Sequence, residues 1–175
     1  MKSNSNSIDL FDVEISLAMT LQEMGINPNP SLQIMRELPP ALVQAYFEAR
    51  YCFNADSKEI VLTIGNHSDE LQEFLESNEY KTWAFISAYN PYSEELSDQE
   101  NAKRQYLLKQ TLEDLSYSFI EGKGGSDDKS WSEPSLFIPD VSIELAESLG
   151  VRFQQNAILY GERGFAPLIL FCGRA

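Results

Sequence analysis

Residues 82–88 have the sequence Thr-Trp-Ala-Phe-Ile-Ser-Ala, a continuous apolar run with the length of one β-strand. A strand that does not alternate apolar and polar residues needs cover on both faces, so this run is predicted to lie in the centre of a sheet. Asn90-Pro91 follows the run and ends it. The fold is therefore expected to form around a buried central strand.

The segments around this strand carry strand and helix patterns. Strands are predicted at residues 51–53, 60–64, 117–120, 136–138, 156–160 and 168–172. Helices are predicted at residues 42–49, 68–75, 97–115 and 141–149. Residues 122–132 are polar and rich in glycine and serine, and are expected to form a flexible loop. Together these elements predict an α+β fold with a single mixed sheet flanked by helices.

The first 40 residues differ from the rest. From Leu10 to Met24 apolar residues recur every three or four positions, which predicts an amphipathic helix that ends at Gly25. Ser31 is expected to cap a second, short helix, which Pro39-Pro40 closes. Residues 1–40 are therefore interpreted as an N-terminal helical appendage with a disordered tip at 1–7, and residues 41–175 as the main α+β domain.

Composition excludes several classes of function. Of the 175 residues 43% are hydrophobic, which suffices for one core, and 27 acidic against 13 basic residues give a net charge of −14. Such a charge repels phosphate backbones and anionic lipids, so neither nucleic acid nor a membrane surface is an expected partner. Cys52 and Cys172 lie in apolar contexts and the N-terminus is polar, which predicts a reducing cytoplasm.

The residues also limit the chemistry. His67 is the only histidine and the two cysteines are far apart, so the usual zinc sites are excluded and no metal ligands are assigned. Magnesium held by carboxylates stays open with 27 acidic residues, although acidic residues alone usually form a solvated surface. Gly122-Lys123-Gly124-Gly125 lacks the spacing of a phosphate-binding loop. No cofactor is identified, and whether the protein is an enzyme stays open; in a catalytic site, Glu133 or Glu100 would be the acid or base and Arg104 the electrostatic clamp.

Several hydrogen-bonding residues cluster in short polar motifs. Asn101 and Arg104 are in register with Leu108 on one helix stripe and are expected to point inward at the rim of the sheet. An inward arginine needs a carboxylate, a phosphate or a set of carbonyls, because an unpaired buried charge is costly. The predicted ligand-binding residues are Asn90, Asn101, Arg104, Trp131, Glu133, Ser135, Gln155 and Asn156.

These motifs resemble a family. Residues 87–93 (SAYNPYS), 96–105 (LSDQENAKRQ), 131–137 (WSEPSLF) and 153–157 (FQQNA) are similar to ordered motifs of the bacterial DUF3293 domain, a family of unknown function. The resemblance extends over roughly residues 42–171 and implies site residues without implying a reaction. Where the family has glycine before the Gln-Asn pair, this chain has Gln154.

Two functions follow as hypotheses. In the first, the polar motifs form a pocket for a polar or anionic small molecule. In the second, the chain is a non-enzymatic protein-interaction or regulatory module that binds a protein partner through the helix at residues 10–24. The polar residues are then structural: Asn90 caps a turn, Arg104 pairs with Glu133, Ser135 and Asn156 satisfy strand edges, and Trp131 covers the core.

Overall fold

The computed structural model describes residues 8–174, which form six helices and seven strands. The helices are α1 (Leu10–Glu23), α2 (Asn29–Glu37), α3 (Pro40–Glu48), α4 (Asp69–Ser77), α5 (Asp98–Asp114) and α6 (Ile143–Arg152). The strands are β1 (Arg50–Ala55), β2 (Lys58–Leu62), β3 (Thr82–Ile86), β4 (Ile120–Gly125), β5 (Ser132–Pro139), β6 (Ala157–Glu162) and β7 (Leu168–Phe171). Within the described residues, no helix combines the length and the apolar character that a membrane crossing requires.

All seven strands join one sheet in the order β2-β1-β4-β5-β3-β6-β7. The predicted α+β class and the single sheet flanked by helices are confirmed, and β3 is an inner strand with four of its five residues buried. The sheet is not mixed, however, because every described pairing is antiparallel. The neighbours β1–β2, β4–β5 and β6–β7 follow each other in the chain, and short connections of this kind give antiparallel pairs.

One side of the sheet is aromatic. Because side chains alternate along a strand, the register places Tyr51 and Phe53 of β1, Phe85 of β3 and Phe137 of β5 on this side, with Trp83 stacked on Phe137 at 5.4 Å between ring centroids. We call these five residues the aromatic face. Phe74 of α4 contacts it at Phe53 and Phe137. Tyr46 of α3 packs edge-on against Phe171 of β7.

The prediction of a flexible loop at residues 122–132 is wrong for residues 122–125. Residues 120–125 form β4, between β1 and β5, and only residues 126–131 connect two strands. Its glycines are required by close packing: a Cβ at Gly124 would lie 2.8 Å from the ring of Tyr51, and one at Gly122 would meet the carbonyl of Cys52. Glycine is depleted in strands, so the glycine-rich composition indicated a loop. In the structure, the rings of the aromatic face leave no room for side chains at these positions of β4.

The two N-terminal helices pack on the edge of the sheet at β7. The predicted helix at residues 10–24 is confirmed as α1. The predicted cap at Ser31 is wrong: α2 begins at Asn29, and Ser31 lies inside it, where its hydroxyl oxygen accepts the backbone N–H of Phe171 at 2.9 Å. Leu21 is fully buried in the same core as the aromatic face. The division at residue 40 stays a prediction, and the tip at 1–7 lies outside the described residues.

We expect Leu21→Ala to lower the free energy of unfolding of the whole chain by about 2–5 kcal/mol, the range for a fully buried leucine. The reason is that α1 shares one core with the sheet. The measurement is chemical denaturation followed by far-UV circular dichroism, with the exposed Leu115→Ala as the control. A main transition that is unchanged in Leu21→Ala would show that residues 1–40 unfold independently.

Candidate functional site

A cavity of about 590 Å³ lies over the aromatic face, below α3. Besides α3, its walls come from six strands, the loop that follows β3, the start of α5, the end of the loop between β4 and β5, and the segment between α6 and β6. Seven of the eight predicted site residues line it: Asn90, Asn101, Trp131, Glu133, Ser135, Gln155 and Asn156. Arg104 does not line it. The sequence motifs therefore meet at one cavity, and Arg104 lies outside its lining.

Asn90 connects three parts of this wall. Its backbone N–H donates to Oδ1 of Asn101 at 2.8 Å, and its own Oδ1 accepts from Nδ2 of Asn101 at 2.8 Å and from the backbone N–H of Leu96 at 3.1 Å. Its Nδ2 donates to Oε1 of Glu133 at 2.9 Å. Asn90 has φ of 44°, in the left-handed region that asparagine tolerates better than most residues. The side chain is therefore needed for both the backbone turn and the cross-links.

Further left-handed residues surround Asn90. Tyr92 has φ of 51° and Ser93 of 62°, and Gln154 on the opposite side of the loop has φ of 57°. The N–H of Tyr92 donates to the carbonyl of Gln154 at 2.7 Å, which holds the two segments together. Left-handed backbone favours glycine, so the glycine that the family motif carries at Gln154 is explained by local conformation. Strained backbone of this kind is concentrated at functional sites.

Asn156 and Tyr46 continue the network towards α3. Nδ2 of Asn156 donates to the Ser93 hydroxyl at 3.0 Å and to the Tyr46 hydroxyl at 3.3 Å. The two hydroxyls are 3.1 Å apart. Nε2 of Gln155 donates to the carbonyl of Tyr89 at 3.0 Å. These contacts fix α3 and the loop after β3 as walls of the cavity.

Three acidic residues line the cavity, and of these Glu133 is half-buried whereas Glu95 and Asp98 are exposed. Burial raises the pKa of Glu133, against the hydrogen bond from Asn90. No ion pair of the described residues includes Glu133, and no described donor reaches its Oε2. The expected pairing of Arg104 with Glu133 is therefore wrong. Glu100, the other acid considered for catalysis, is used in the capping box with Ser97.

Arg104 is held entirely by oxygen acceptors of the protein. Nε donates to the carbonyl of Ala88 at 2.7 Å, Nη1 donates to Oε1 of Gln154 at 3.2 Å, and Nη2 donates to the carbonyl of Phe153. Burial lowers its pKa. An inward arginine was expected to need a carboxylate, a phosphate or a set of carbonyls, and here carbonyl oxygens of the protein accept all three hydrogen bonds. Arg104 therefore joins the end of β3 to the end of α6.

Of the aromatic residues that line the cavity, Trp131 was predicted as a site residue and the others were missed. Tyr46, Tyr51, Tyr89 and Phe85 line it, and they come from α3, β1, the loop after β3 and β3 itself. Tyr46 lies one position after Ala45 on the inner side of α3, and both residues line the cavity together with Leu42. The helical spacing of Leu42 and Tyr46 was the available signal, but it could not be distinguished from ordinary core packing.

The described residues provide little for metal or thiol chemistry. Among residues 8–174, no three side chains of histidine, cysteine, aspartate or glutamate converge to hold a metal ion. Both cysteines are buried and free. Burial raises the pKa of Cys172 to about 12 and also raises the pKa of Cys52, so neither thiol has the low pKa of a reactive cysteine.

Fold and site together define an α+β domain with a polar-walled cavity on one face of an antiparallel sheet. Residues 86–158 match the model of a family described as "Protein of unknown function (DUF3293)", which confirms the resemblance seen in the motifs. This segment is narrower than the predicted 42–171 and contains all four motif stretches, from Ser87 to Ala157. No curated protein and no solved structure is significantly similar to the chain.

We expect Arg104→Ala to lower the free energy of unfolding by about 2–3 kcal/mol, because it leaves the carbonyls of Ala88 and Phe153 without a charged donor. Urea denaturation measures the change. Lys103→Ala, an exposed neighbour on the same helix, is the matched control and should change stability little. Equal stability of the two variants would contradict the assignment of Arg104 as a brace.

Proposed function

We propose that this domain binds a polar small molecule in the cavity over the aromatic face. The observation that supports this most is the convergence of seven separately predicted polar and aromatic residues on one cavity of about 590 Å³. Ligand pockets in proteins usually have volumes of about 300–1,000 Å³ and combine apolar walls with a few placed polar groups. The cavity fits this description, with Phe85, Leu159 and Ile169 as apolar walls.

The lining residues divide into two roles. Asn90, Asn101 and Asn156 are bonded mainly to protein groups, so we assign them to holding the walls. Glu133 and Trp131 face the cavity with fewer protein partners, and we assign them to ligand contact. If the domain catalyses a reaction, Glu133 is the acid or base, because Glu100 is engaged in a helix cap.

The anionic ligand considered from the sequence has less support than a neutral or cationic one. That expectation depended on Arg104, which the carbonyls of Ala88 and Phe153 occupy. The net charge of −14 also supports the proposal that nucleic acid is not a partner, because it repels the phosphate backbone. We infer a cytoplasmic location, and the two free, buried cysteines support it.

A thermal-shift and NMR screen of amino acids, amines, organic acids, sugars and nucleotides tests the proposal. A ligand at about 100 times its Kd stabilises the native state by about 2.7 kcal/mol, which corresponds to a Tm increase of about 5–10 °C for a chain of this length. We expect Ser135→Leu, which fills part of the cavity, to abolish that increase, since Ser135 lines the wall and bonds only to a carbonyl two residues away.

Lys103→Ala, which lies outside the cavity lining, should keep the full response in this screen. A Tm increase that persists in Ser135→Leu would place the binding elsewhere. If no compound shifts the NMR signals of the lining residues, the proposal of a small-molecule pocket fails.

A second candidate function is protein interaction through α1. Phe11, Ile15 and Met19 recur every four residues on one stripe of α1 and are 69%, 44% and 57% exposed. We call these residues the α1 stripe. Asp12 and Glu23 are exposed beside it, and α1 contains no basic residue. The partner that fits this surface is a basic amphipathic helix of another protein.

We expect a synthetic amphipathic helix of leucine and lysine to bind the wild-type chain, and Phe11→Ser with Met19→Ser to weaken that binding, because the stripe supplies the apolar contact. Fluorescence anisotropy of the labelled peptide measures the affinity. Leu107→Ser, an equally exposed leucine on α5, is the control. Unchanged affinity in the double variant, or equal binding of a glutamate version of the peptide, would exclude this function for α1.

A further inference from the structure

The charged residues that line the cavity all have one sign. Glu133 lies in its wall, Glu95 and Asp98 are exposed at its rim, and none of its lining residues is lysine, arginine or histidine. The whole chain carries a net charge of −14. Acidic walls around a concave, low-dielectric space concentrate the field, so the cavity attracts cations and repels anions.

Glu133 lacks a cationic partner inside this field. Its only described side-chain contact is the hydrogen bond that Oε1 accepts from Nδ2 of Asn90 at 2.9 Å. Partial removal of a carboxylate from water disfavours its charged form unless it is paired or hydrogen-bonded, and burial raises the pKa of Glu133 accordingly. A cation placed against Oε2 would supply the missing partner.

The remaining lining indicates which kind of cation. Within residues 8–174 no set of three metal-ligating side chains converges, so the acids are not arranged around an inorganic ion. Instead, five aromatic side chains line the same cavity as the carboxylate: Tyr46, Tyr51, Tyr89, Phe85 and Trp131. Aromatic rings attract weakly hydrated organic cations, and a volume of about 590 Å³ admits an ion with a substantial organic body.

We propose that the ligand of this cavity carries a protonated or quaternary amine that sits against the Glu133 carboxylate. This inference rests on the proposed small-molecule function and specifies its ligand class. Asn90 is then a positioning residue, because its amide holds Oε1, while no described donor reaches Oε2.

Four probes of similar shape and different charge test the proposal: benzyltrimethylammonium, benzylamine, benzyl alcohol and benzoate. NMR titration of the labelled full-length chain gives the affinity and the residues perturbed. We expect the two cations to bind at the cavity and benzoate not to bind. Glu133→Gln keeps the shape and the acceptor for Asn90 but removes the charge, and should weaken cation binding about tenfold or more.

The matched control is Glu121→Gln, an exposed glutamate of β4 that is absent from the cavity lining and should leave the affinities unchanged. Binding of benzyl alcohol or benzoate in the cavity as tightly as the cations, with loss of binding in Ser135→Leu, would overturn the amine assignment and leave the proposed pocket intact. Failure of both cations to perturb the lining residues, or equal cation affinity in Glu133→Gln and wild type, would also overturn it.

Discussion

The left-handed turn at Asn90 is the constraint on which the site depends. β3 is buried on both sides, so the chain must leave the sheet abruptly and still satisfy its backbone groups at the edge of the core. Asn90 accomplishes this with one side chain, which accepts from Leu96 and Asn101 and donates to Glu133. The start of α5 and the polar half of β5 are therefore positioned by the same residue, Asn90, which turns the chain after the inner strand β3.

The cavity above the aromatic face exists partly because β4 has glycines, without side chains, on this side of the sheet. β4 lies between β1 and β5 and contributes Gly122 and Gly124 on the aromatic side, so the rings of Tyr51 and Phe85 lie across it. α3 covers this face through Tyr46 and Leu42 but does not fill it. The polar network at the mouth ties α3 to the loop after β3 through Asn156, which keeps the space open between rigid walls.

Much of this arrangement could be predicted from the sequence because the signals were local. The apolar run of β3, the period of α1 and the capping box of α5 each depend on neighbouring residues, and the inward stripe of Asn101 and Arg104 follows from helical geometry. The strand β4 could not be predicted, because its glycines are required by close contact with rings from β1 and β3, which are distant in the sequence. The role of Ser31 could not be predicted either, because its hydroxyl oxygen accepts a hydrogen bond from the backbone N–H of Phe171, 140 residues further along the chain. Tyr46 reaches the site only through tertiary packing.

Arg104 and Glu133, two of the charged residues in the family motifs, differ in how the protein satisfies their charge, and the difference bears on function. Arg104 is satisfied by carbonyls of the protein, so it stabilises the fold without presenting charge to the cavity. Glu133 receives one amide and no cation, although the chain could bury a neutral glutamine in its place with the same hydrogen bond from Asn90. A glutamine would avoid the cost of desolvating a carboxylate. Burial disfavours the charged form of Glu133, and the amine ligand proposed for the cavity would supply the pairing that the fold itself does not.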